Sequence, residues 1–555
     1  MKSSSAPFHL VSINCRYSHS CLAQFYVRQE LKKHLPHRDV ALSQLTINDP
    51  YYQTLLRLCQ TPARAIFFSV YIWNHEYVRR LINDLSRVLP DTPLVLGGPQ
   101  ASSLTDLPRQ CTVVTGEIEA VGGQFYRDLE SGLLQPLYRA GKSSLFPSPY
   151  VNSDFQQELK NRQLYYEGSR GCPFSCAYCL SSIAKGVRHK PLELIKKELS
   201  GLIAAKPMII KFVDRTFNDN PLRALAIWKF LADNAGEVTC HFEIAPDRFT
   251  EEMLDFLPTV RCDQFQFEIG IQSCNRETLQ AVNRQMDIER AGENIRRLMA
   301  LDTIHLHVDL ILGLPFETRE SFADSFNQVF SLAPHYIQLG LLKVLPGTAM
   351  EKKALEFGLV YCAEPPYEIL ATNWMNSTTM CSLYQFCEVV ESFYNNRFFR
   401  TLWDYLRLVD EDSFLFFSVL LDICLKQGFF ELARTHKLMH RLLFETVGSR
   451  PDGELLQELL CYDWLRCGHR SLPGYCNAPA QKEIRDSLRL KLPQSLPGLF
   501  DYRSRVEFLK QASFFEMSGR ALEKAGLGSQ GGLVVFLPEQ SQGVMRYCTT
   551  KVLDV

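Results

Sequence analysis

Two rhythms of apolar and polar residues run along this chain, and the change from one to the other marks its organisation. From residue 8 to residue 135, short apolar runs alternate with stretches whose apolar positions recur at i, i+3 and i+4. Residues 8–13 (FHLVSI), 63–73 (ARAIFFSVYIW), 92–99 (TPLVLGGP) and 112–115 (TVVT) read as strands, the second of them apolar on both faces. Residues 19–35 (HSCLAQFYVRQELKKHL) and 74–89 (NHEYVRRLINDLSRVL) read as helices, with Asn74 placed to cap the second. Such alternation predicts a doubly wound parallel sheet, whose ligands bind at the carboxyl ends of the strands. The loops at those ends are NCRYSHS, YIWN, GGPQ and GEIE.

Residues 141–157 are richer in Ser and Pro and read as a linker. A second β/α series follows, with strands predicted at 163–169, 208–214, 238–245, 263–270, 304–314 and 336–344. Helical segments such as 192–205 and 289–301 separate them. Six such units predict a partial (β/α)6 barrel over residues 158–360, with its polar motifs at the carboxyl ends of the strands, where barrel sites form. Beyond residue 360 the alternation stops. Residues 381–406, 413–430 and 431–446 read as amphipathic, aromatic-rich helices whose stripes pack a core, and 531–540 (GGLVVFLPEQ) as a strand. The fold class expected is therefore α/β multidomain: an α/β domain at 1–140, a linker at 141–157, a barrel at 158–360 and a mainly α-helical domain at 361–555.

Composition changes this picture little. A 555-residue chain exceeds one core, and 46% hydrophobic with 22% charged residues is ordinary for a water-soluble protein. The formal net charge of -1 gives no global pull toward nucleic acid or membrane. The first ten residues lack the apolar core of a secretory signal, and no run is long enough to span a bilayer, so a cytoplasmic location is expected. The 18 cysteines are scattered, as buried thiols in a reducing compartment are. Cys461, Cys467 and Cys476 form a looser group near His469, where a zinc site or a second cluster stays open as an alternative.

One stretch departs from that scatter: SRGCPFSCAYCLSS, residues 169–182, with Cys172, Cys176 and Cys179 close together. A zinc site wants four ligands, and only His189 follows as an irregular fourth. A [4Fe–4S] cluster takes one ligand per iron, so three thiolates leave one iron open to a substrate or cofactor.

The Cys-x-x-x-Cys-x-x-Cys spacing after the first barrel strand resembles the radical S-adenosylmethionine (radical SAM) superfamily. The resemblance implies that Cys172, Cys176 and Cys179 hold a [4Fe–4S] cluster whose open iron is chelated by SAM. It implies that an electron from the cluster cleaves SAM to a 5′-deoxyadenosyl radical, which takes hydrogen from an unactivated C–H bond. Tyr178 matches the aromatic position near the adenine. Asp214 and Asn218 match the second-strand segment facing the methionine end of SAM, Glu243 a ribose contact, and Glu268, Gln272 and Ser273 the fourth-strand contacts. The segments HVDLILGLPFET and KVLPGT resemble the closing segments of the branch that includes methylthiotransferases and anaerobic coproporphyrinogen oxidases.

The N-terminal loops, taken together, resemble the cobalamin-binding domain of cobalamin-dependent radical SAM proteins. This implies that Ser69 bonds the nucleotide tail, that Tyr71, Ile72 and Trp73 face the corrin, and that the tail inserts beside Gly97, Gly98 and Pro99. Gly116 and Glu117 match a loop that usually reads Gly-Glu-Gly-Glu, with Ile118 here in place of the second glycine. No Asp-x-His-x-x-Gly motif offers a histidine to cobalt, and His19 reads as a helix-start residue. The C-terminal region resembles the uncharacterised domain attached to one branch of these proteins.

The function expected is thus a radical SAM enzyme with cobalamin that methylates or rearranges an unactivated carbon, with ferredoxin or flavodoxin as reductant and no role for nucleic acid or membrane. The alternatives are a cobalamin-free radical SAM oxidoreductase and a non-catalytic SAM or corrinoid sensor or chaperone.

Overall fold

The computed structural model describes residues 6–183, 185–494, 504–541 and 543–553. Strands β1 (Phe8–Asn14), β2 (Val40–Thr46), β3 (Ala65–Ser69), β4 (Leu94–Gly97), β5 (Cys111–Thr115) and β6 (Leu137–Arg139) form one sheet in the order β2-β1-β3-β4-β5-β6. Every pairing in it is parallel. β1 and β3 are buried along their whole length, as their continuous apolar runs demand. The order reverses between β1 and β3, which opens a crevice at the carboxyl ends of the strands. One apolar core on each face holds the helices, one around Ile66, Leu81 and Leu96, the other around Phe67, Leu31 and Phe125.

This sheet has two strands more than the apolar runs predict. β2 and β6 lie at its edges, where one side faces solvent and polar residues break the apolar signal. Asn74 also differs from expectation. It makes no cap to the helix His75–Val88. Its amide instead donates to the carbonyls of Ile13 (2.9 Å) and Ser69 (3.0 Å) and accepts the Tyr71 N–H (2.7 Å), pinning the loop after β3 to the ends of two strands.

The segment read as a linker carries anchored residues. Phe146 is 1% exposed, Asp154 forms a two-pronged pair with Arg28 at 2.5 Å, and the Ser148 N–H donates to Glu198 at 2.6 Å. Its polar composition hides these few anchors.

The second sheet comprises β7 (Leu164–Tyr166), then, after the short antiparallel hairpin β8 (Ser169–Cys172) and β9 (Gly186–His189), β10 (Ile209–Phe212), β11 (Thr239–Ile244), β12 (Phe265–Gln272), β13 (His305–Leu312) and β14 (Tyr336–Leu341). Its order, β14-β13-β12-β11-β10-β7, places each strand beside its predecessor in the series, and its edges stay unpaired with one another, as in a partial barrel. In β12, Phe265, Phe267, Ile269 and Ile271 are buried, while Gln266, Glu268, Gly270 and Gln272 alternate on the opposite, half-buried face. Trp228 packs among Phe217, Phe242, Phe249, Phe265 and Phe267 with ring centroids 5.3–6.2 Å apart, a dense aromatic wedge behind the strands.

A minor pair, β15 (Val360–Tyr361) and β16 (Ile369–Ala371), precedes the C-terminal helices Ser377–Phe393, Arg400–Leu408, Ser413–Lys426, His436–Gly448 and Gly453–Arg466. Their aromatic stripes are core, as their spacing predicts: Phe386, Phe399, Phe417 and Trp403 are at most 2% exposed. The chain then adds a three-stranded antiparallel sheet, β17 (Ser513–Met517), β18 (Gly532–Gln540) and β19 (Cys548–Leu553). Only β18 is evident in the apolar pattern, because β17 and β19 are short and β19 carries Thr and Lys.

Replacing Phe146 by Ala should remove about 3–5 kcal/mol, the cost of emptying a buried Phe site. The measurement is a fall in the first thermal unfolding transition, with the C-terminal transition unchanged.

Candidate functional site

Cys172 ends β8, and Cys176 and Cys179 lie in the connection to β9. That connection is fixed by backbone bonds. Ala177 donates to the Val282 carbonyl (2.8 Å) and accepts the Met350 N–H (2.9 Å), and the Cys179 N–H turns back to the Cys176 carbonyl (3.1 Å). Cationic groups surround the thiols. The Arg284 guanidinium lies 3.8 Å from Cys176 Sγ, and Arg284 and Arg248 flank the Phe174 ring at 5.4 and 4.8 Å. The charge of Arg215 acts on Cys179 and Cys172. Cys172 Sγ lies 3.5 Å from the Thr216 hydroxyl. Burial pushes the Cys172 thiol up, and the other two thiols push it further, so the three sit within one another's field. Thiolates so placed need positive neighbours, and the arginines provide them.

Among the described residues, no three His, Cys, Asp or Glu side chains converge on the point a single metal ion would occupy. A loop of three mutually coupled thiols suits a cluster in which each thiolate takes its own iron. His189, the irregular fourth candidate, is bound 3.1 Å from Asp219 instead. In the second cysteine group, Cys467 reaches the Phe398 carbonyl (3.6 Å) and His469 pairs with His436 (2.9 Å), so these side chains are engaged as packing.

The polar residues at the strand ends divide into two sets. Asp214, Asn218 and Ser273 are wholly buried and satisfied by protein. Asp214 accepts the Gly168 N–H (2.8 Å) and the Ser169 hydroxyl (2.7 Å) and lies 3.4 Å from Arg223, so it braces the strand that leads into Cys172. Asn218 exchanges both amide bonds with the Ala245 backbone (2.8 and 2.9 Å), tying the end of β10 to that of β11. The Ser273 hydroxyl donates to Glu317 at 2.7 Å.

The second set lines the hollow of the sheet. Glu268 reaches His241 (3.2 Å) and Lys211 (3.7 Å), and Glu243 faces Arg215 (3.6 Å). Burial pushes Glu243 up to about 7 although Arg215 opposes the shift. Gln272, at the carboxyl end of β12, holds φ at 74°, a left-handed conformation that costs a non-glycine residue on the order of 1–2 kcal/mol. Its buried Oε1 has no partner among the described residues. Strained backbone and an open acceptor thus coincide at this one side chain. Tyr178 lies beside Cys176, and burial, then the thiol, pushes its phenol up.

At the carboxyl edge of the first sheet lies a cavity of about 190 Å³. Ser69, Gly97, Gly98, Gly116 and Glu117 all line it, from the ends of three neighbouring strands, β3, β4 and β5. Tyr71, Ile72, Trp73 and Pro99 are outside its wall, although the Tyr71 and Trp73 rings stack face to face at 4.4 Å and Trp73 is 44% exposed. Gly98 is demanded by the fold itself, since it holds φ at 100° and a Cβ there would lie 2.6 Å from the Val70 carbonyl oxygen. Gly97 is not: the nearest atom to a Cβ is 3.8 Å away. Its bare backbone leaves the cavity open. His19 bonds the Tyr165 hydroxyl at 2.5 Å.

One residue that no motif points to joins the two places. Arg170, in β8 and also in the cavity wall, pairs with Glu117 (2.9 Å), Glu119 (2.7 Å) and Glu167 (2.9 Å). Arg188, opposite Arg170 in the hairpin, also binds Glu117, whose carboxylate accepts the Ser143 N–H as well (2.9 Å). The oxygens of Glu117 are thus spent on tying the cavity loop to the cysteine hairpin. The acidic spacing of GEIE is the only trace of this in the sequence.

Residues 166–329 match the radical SAM superfamily, and residues 355–505 match a protein domain of unknown function, DUF4080. The 2-(S-pantetheinyl)-carbapenam-3-carboxylate methyltransferase of Streptantibioticus cattleyicolor is 26% identical over 409 residues, 62% of this chain and 59% of the relative. The cobalamin-dependent radical SAM methyltransferase TokK of Streptomyces tokunonensis is 25% identical over 297 residues, 47% of this chain and 43% of the relative. This chain therefore spans less than two thirds of the length of these curated relatives. The structure of OxsB, a cobalamin-dependent S-adenosylmethionine radical enzyme with aqua-cobalamin and S-adenosylmethionine bound, superposes with a TM-score of 0.55 at 13% identity, covering 91% of this chain and 83% of that one. The fold is shared along nearly the whole chain. No helix among the described residues is long and apolar enough to cross a membrane.

Glu317 yields a pH prediction. It is fully buried, and burial raises it to about 8, above the ordinary value near 4.3 that it takes in the unfolded chain. An acid raised on folding stabilises the fold below its unfolded pKa and withdraws that stability as pH climbs to its folded one, by up to ~1.4 kcal/mol per unit. Glu317→Gln keeps an acceptor for Ser273 and should flatten the stability profile between about pH 4.5 and pH 8. Urea unfolding across that range measures it.

Proposed function

We propose that this chain, whose residues 166–329 are a radical SAM domain, is an enzyme that joins a three-cysteine [4Fe–4S] site to a corrinoid site and methylates an unactivated carbon of its substrate. The observation that carries this reading is the Arg170–Glu117 junction, which holds the cavity of the first sheet and the cysteine hairpin as one assembly. Methyltransferases among the similar proteins favour methyl transfer over rearrangement.

When bound, the cluster with SAM on its open iron supplies one-electron cleavage of SAM, and a corrinoid supplies a transferable methyl group. The chain's own residues do the rest. Cys172, Cys176 and Cys179 hold the cluster, and Arg284 and Arg215 offset its negative charge. Gln272, Glu243, Glu268 and Tyr178 are the groups left to bind SAM and substrate, because Asp214, Asn218 and Ser273 are spent on bracing. Glu243, poised near neutrality against Arg215, can hold or release a proton at its carboxyl. With a corrinoid bound, the cavity bordered by Ser69, Gly97 and Gly116 would hold its tail, and the exposed Trp73 would be available to its ring. The reductant is a low-potential one-electron carrier such as a ferredoxin or flavodoxin. A cytosolic setting agrees with 18 cysteines of which none is in a disulfide.

The test is anaerobic purification from cells supplied with cobalamin, with iron and corrin absorption read in the same sample. The wild type should carry about four irons and one corrinoid per chain, and should form 5′-deoxyadenosine from SAM with a reductant. Gly97→Leu should keep its iron and lose its corrin bands, and Cys176→Ala should do the reverse. Iron without corrin in the wild type rejects the corrinoid half of the proposal, and absence of 5′-deoxyadenosine formation rejects the enzyme.

A further inference from the structure

Gln24 stands in the wall of the cavity at the carboxyl edge of the first sheet and is 1% exposed. Its side chain lies against β1 and β3, where Nε2 donates to the carbonyls of Val11 (3.2 Å) and Phe67 (3.4 Å). Two carbonyl partners settle which end of the amide is which, because only its nitrogen can donate. The oxygen is therefore turned away from both strands. It is buried, and it has no partner among the described residues. The acids of the same wall are occupied, since Glu117 and Glu119 both pair with Arg170. Val27, Val95, Val114 and Ile118 make much of the remaining wall apolar. A buried acceptor left open in such surroundings costs free energy in the empty protein, and a ligand that brings a donor recovers it.

This bears on which corrinoid the cavity takes, and it rests on the corrinoid reading of that cavity. Corrinoids share the ring and differ in the base that ends the tail. Dimethylbenzimidazole, the base of cobalamin, has no N–H once it is joined to its ribose. Adenine carries an amino group with two N–H donors, and its ring nitrogens are acceptors for a donor such as the Ser69 hydroxyl in the same wall. We infer that Gln24 is a specificity-determining residue whose Oε1 accepts an N–H from the tail base, so that this chain prefers a corrinoid with an amino-bearing purine base to cobalamin. A site built to pair with a donor rejects a ligand that lacks it far more strongly than an apolar pocket rejects one by size. The helix Leu22–His34 then does more than cover the sheet, because it carries the residue that reads the tail.

The experiment is equilibrium dialysis of the full chain, purified without oxygen from cells grown without a corrinoid, with bound ligand read from corrin absorption. The decisive ligands are adeninylcobamide and purinylcobamide, whose bases differ by the amino group alone. The wild type should bind the adeninyl form roughly ten- to a hundredfold more tightly than the purinyl form, and more tightly than cobalamin. Gln24→Met keeps the length of the side chain and removes the acceptor, and it should bind the two purine forms equally. The wild-type comparison needs no variant, so a poorly folded Gln24→Met leaves the test intact. Equal affinity of the wild type for the two purine forms overturns the inference and leaves the corrinoid reading standing. A preference that persists in Gln24→Met overturns the role of Gln24. Failure to bind any of the three corrinoids overturns the corrinoid reading, and the inference with it.

Discussion

The Arg170 cluster of charges is the interaction on which the rest of the site depends. β8 and β9 are a two-stranded hairpin outside both main sheets, and such a hairpin alone is marginal in water. Its position must be imposed from outside. Arg170 and Arg188 face each other across it, a like-charge pair that opposes pairing until Glu117 enters between them. Glu119 and Glu167 complete the balance around Arg170, whose side chain is only 12% exposed. In such surroundings, removing one partner leaves an uncompensated buried charge, which typically costs 3–5 kcal/mol. At its base the hairpin is held by Asp214, and beyond Cys172 by the bonds of Ala177. The cysteines are thus placed by what surrounds the hairpin more than by the hairpin itself.

Motif residues at strand ends perform two kinds of work. Asp214, Asn218 and Ser273 lie at positions where polar side chains recur at the mouth of a barrel, yet each is buried and fully engaged with protein. They define the shape of the mouth. Glu243, Glu268 and Gln272 face the hollow, and Gln272 combines strained backbone with an open acceptor. The distinction is energetic. A buried polar group with partners lowers the free energy of the empty protein, whereas one without partners raises it and becomes useful only when a ligand arrives.

Much of this was legible in the sequence. Continuous apolar runs announced β1 and β3, the six strands of the second sheet followed their alternating pattern, and the cysteine spacing stood out from an otherwise even scatter. The five cavity residues Ser69, Gly97, Gly98, Gly116 and Glu117 were visible because each ends a strand or opens a turn. Contacts between distant segments were not. Edge strands β2 and β6 lack a full apolar signal, Asn74 looks like a cap until its amide is seen to bridge two strands, and the polar linker conceals Phe146. Arg170 is one arginine among many, and its role exists only once Glu117 and Glu119 from the loop after β5 meet Glu167 around it.

The choice of arginine around the thiols follows from the same electrostatics. A thiolate in a half-buried loop is disfavoured by desolvation, and the Cys172 thiol is pushed up accordingly. A lysine in such a place has its pKa drawn down by burial, as Lys190 does even beside Glu198. A guanidinium keeps its charge under the same conditions, and Arg284 and Arg215 are raised above their ordinary range. Their field on the cysteines is therefore constant across physiological pH. The groups free to titrate near neutrality, with Glu243 foremost, lie further along the hollow. Fixed charge surrounds the cysteine loop, and variable charge faces the hollow of the sheet.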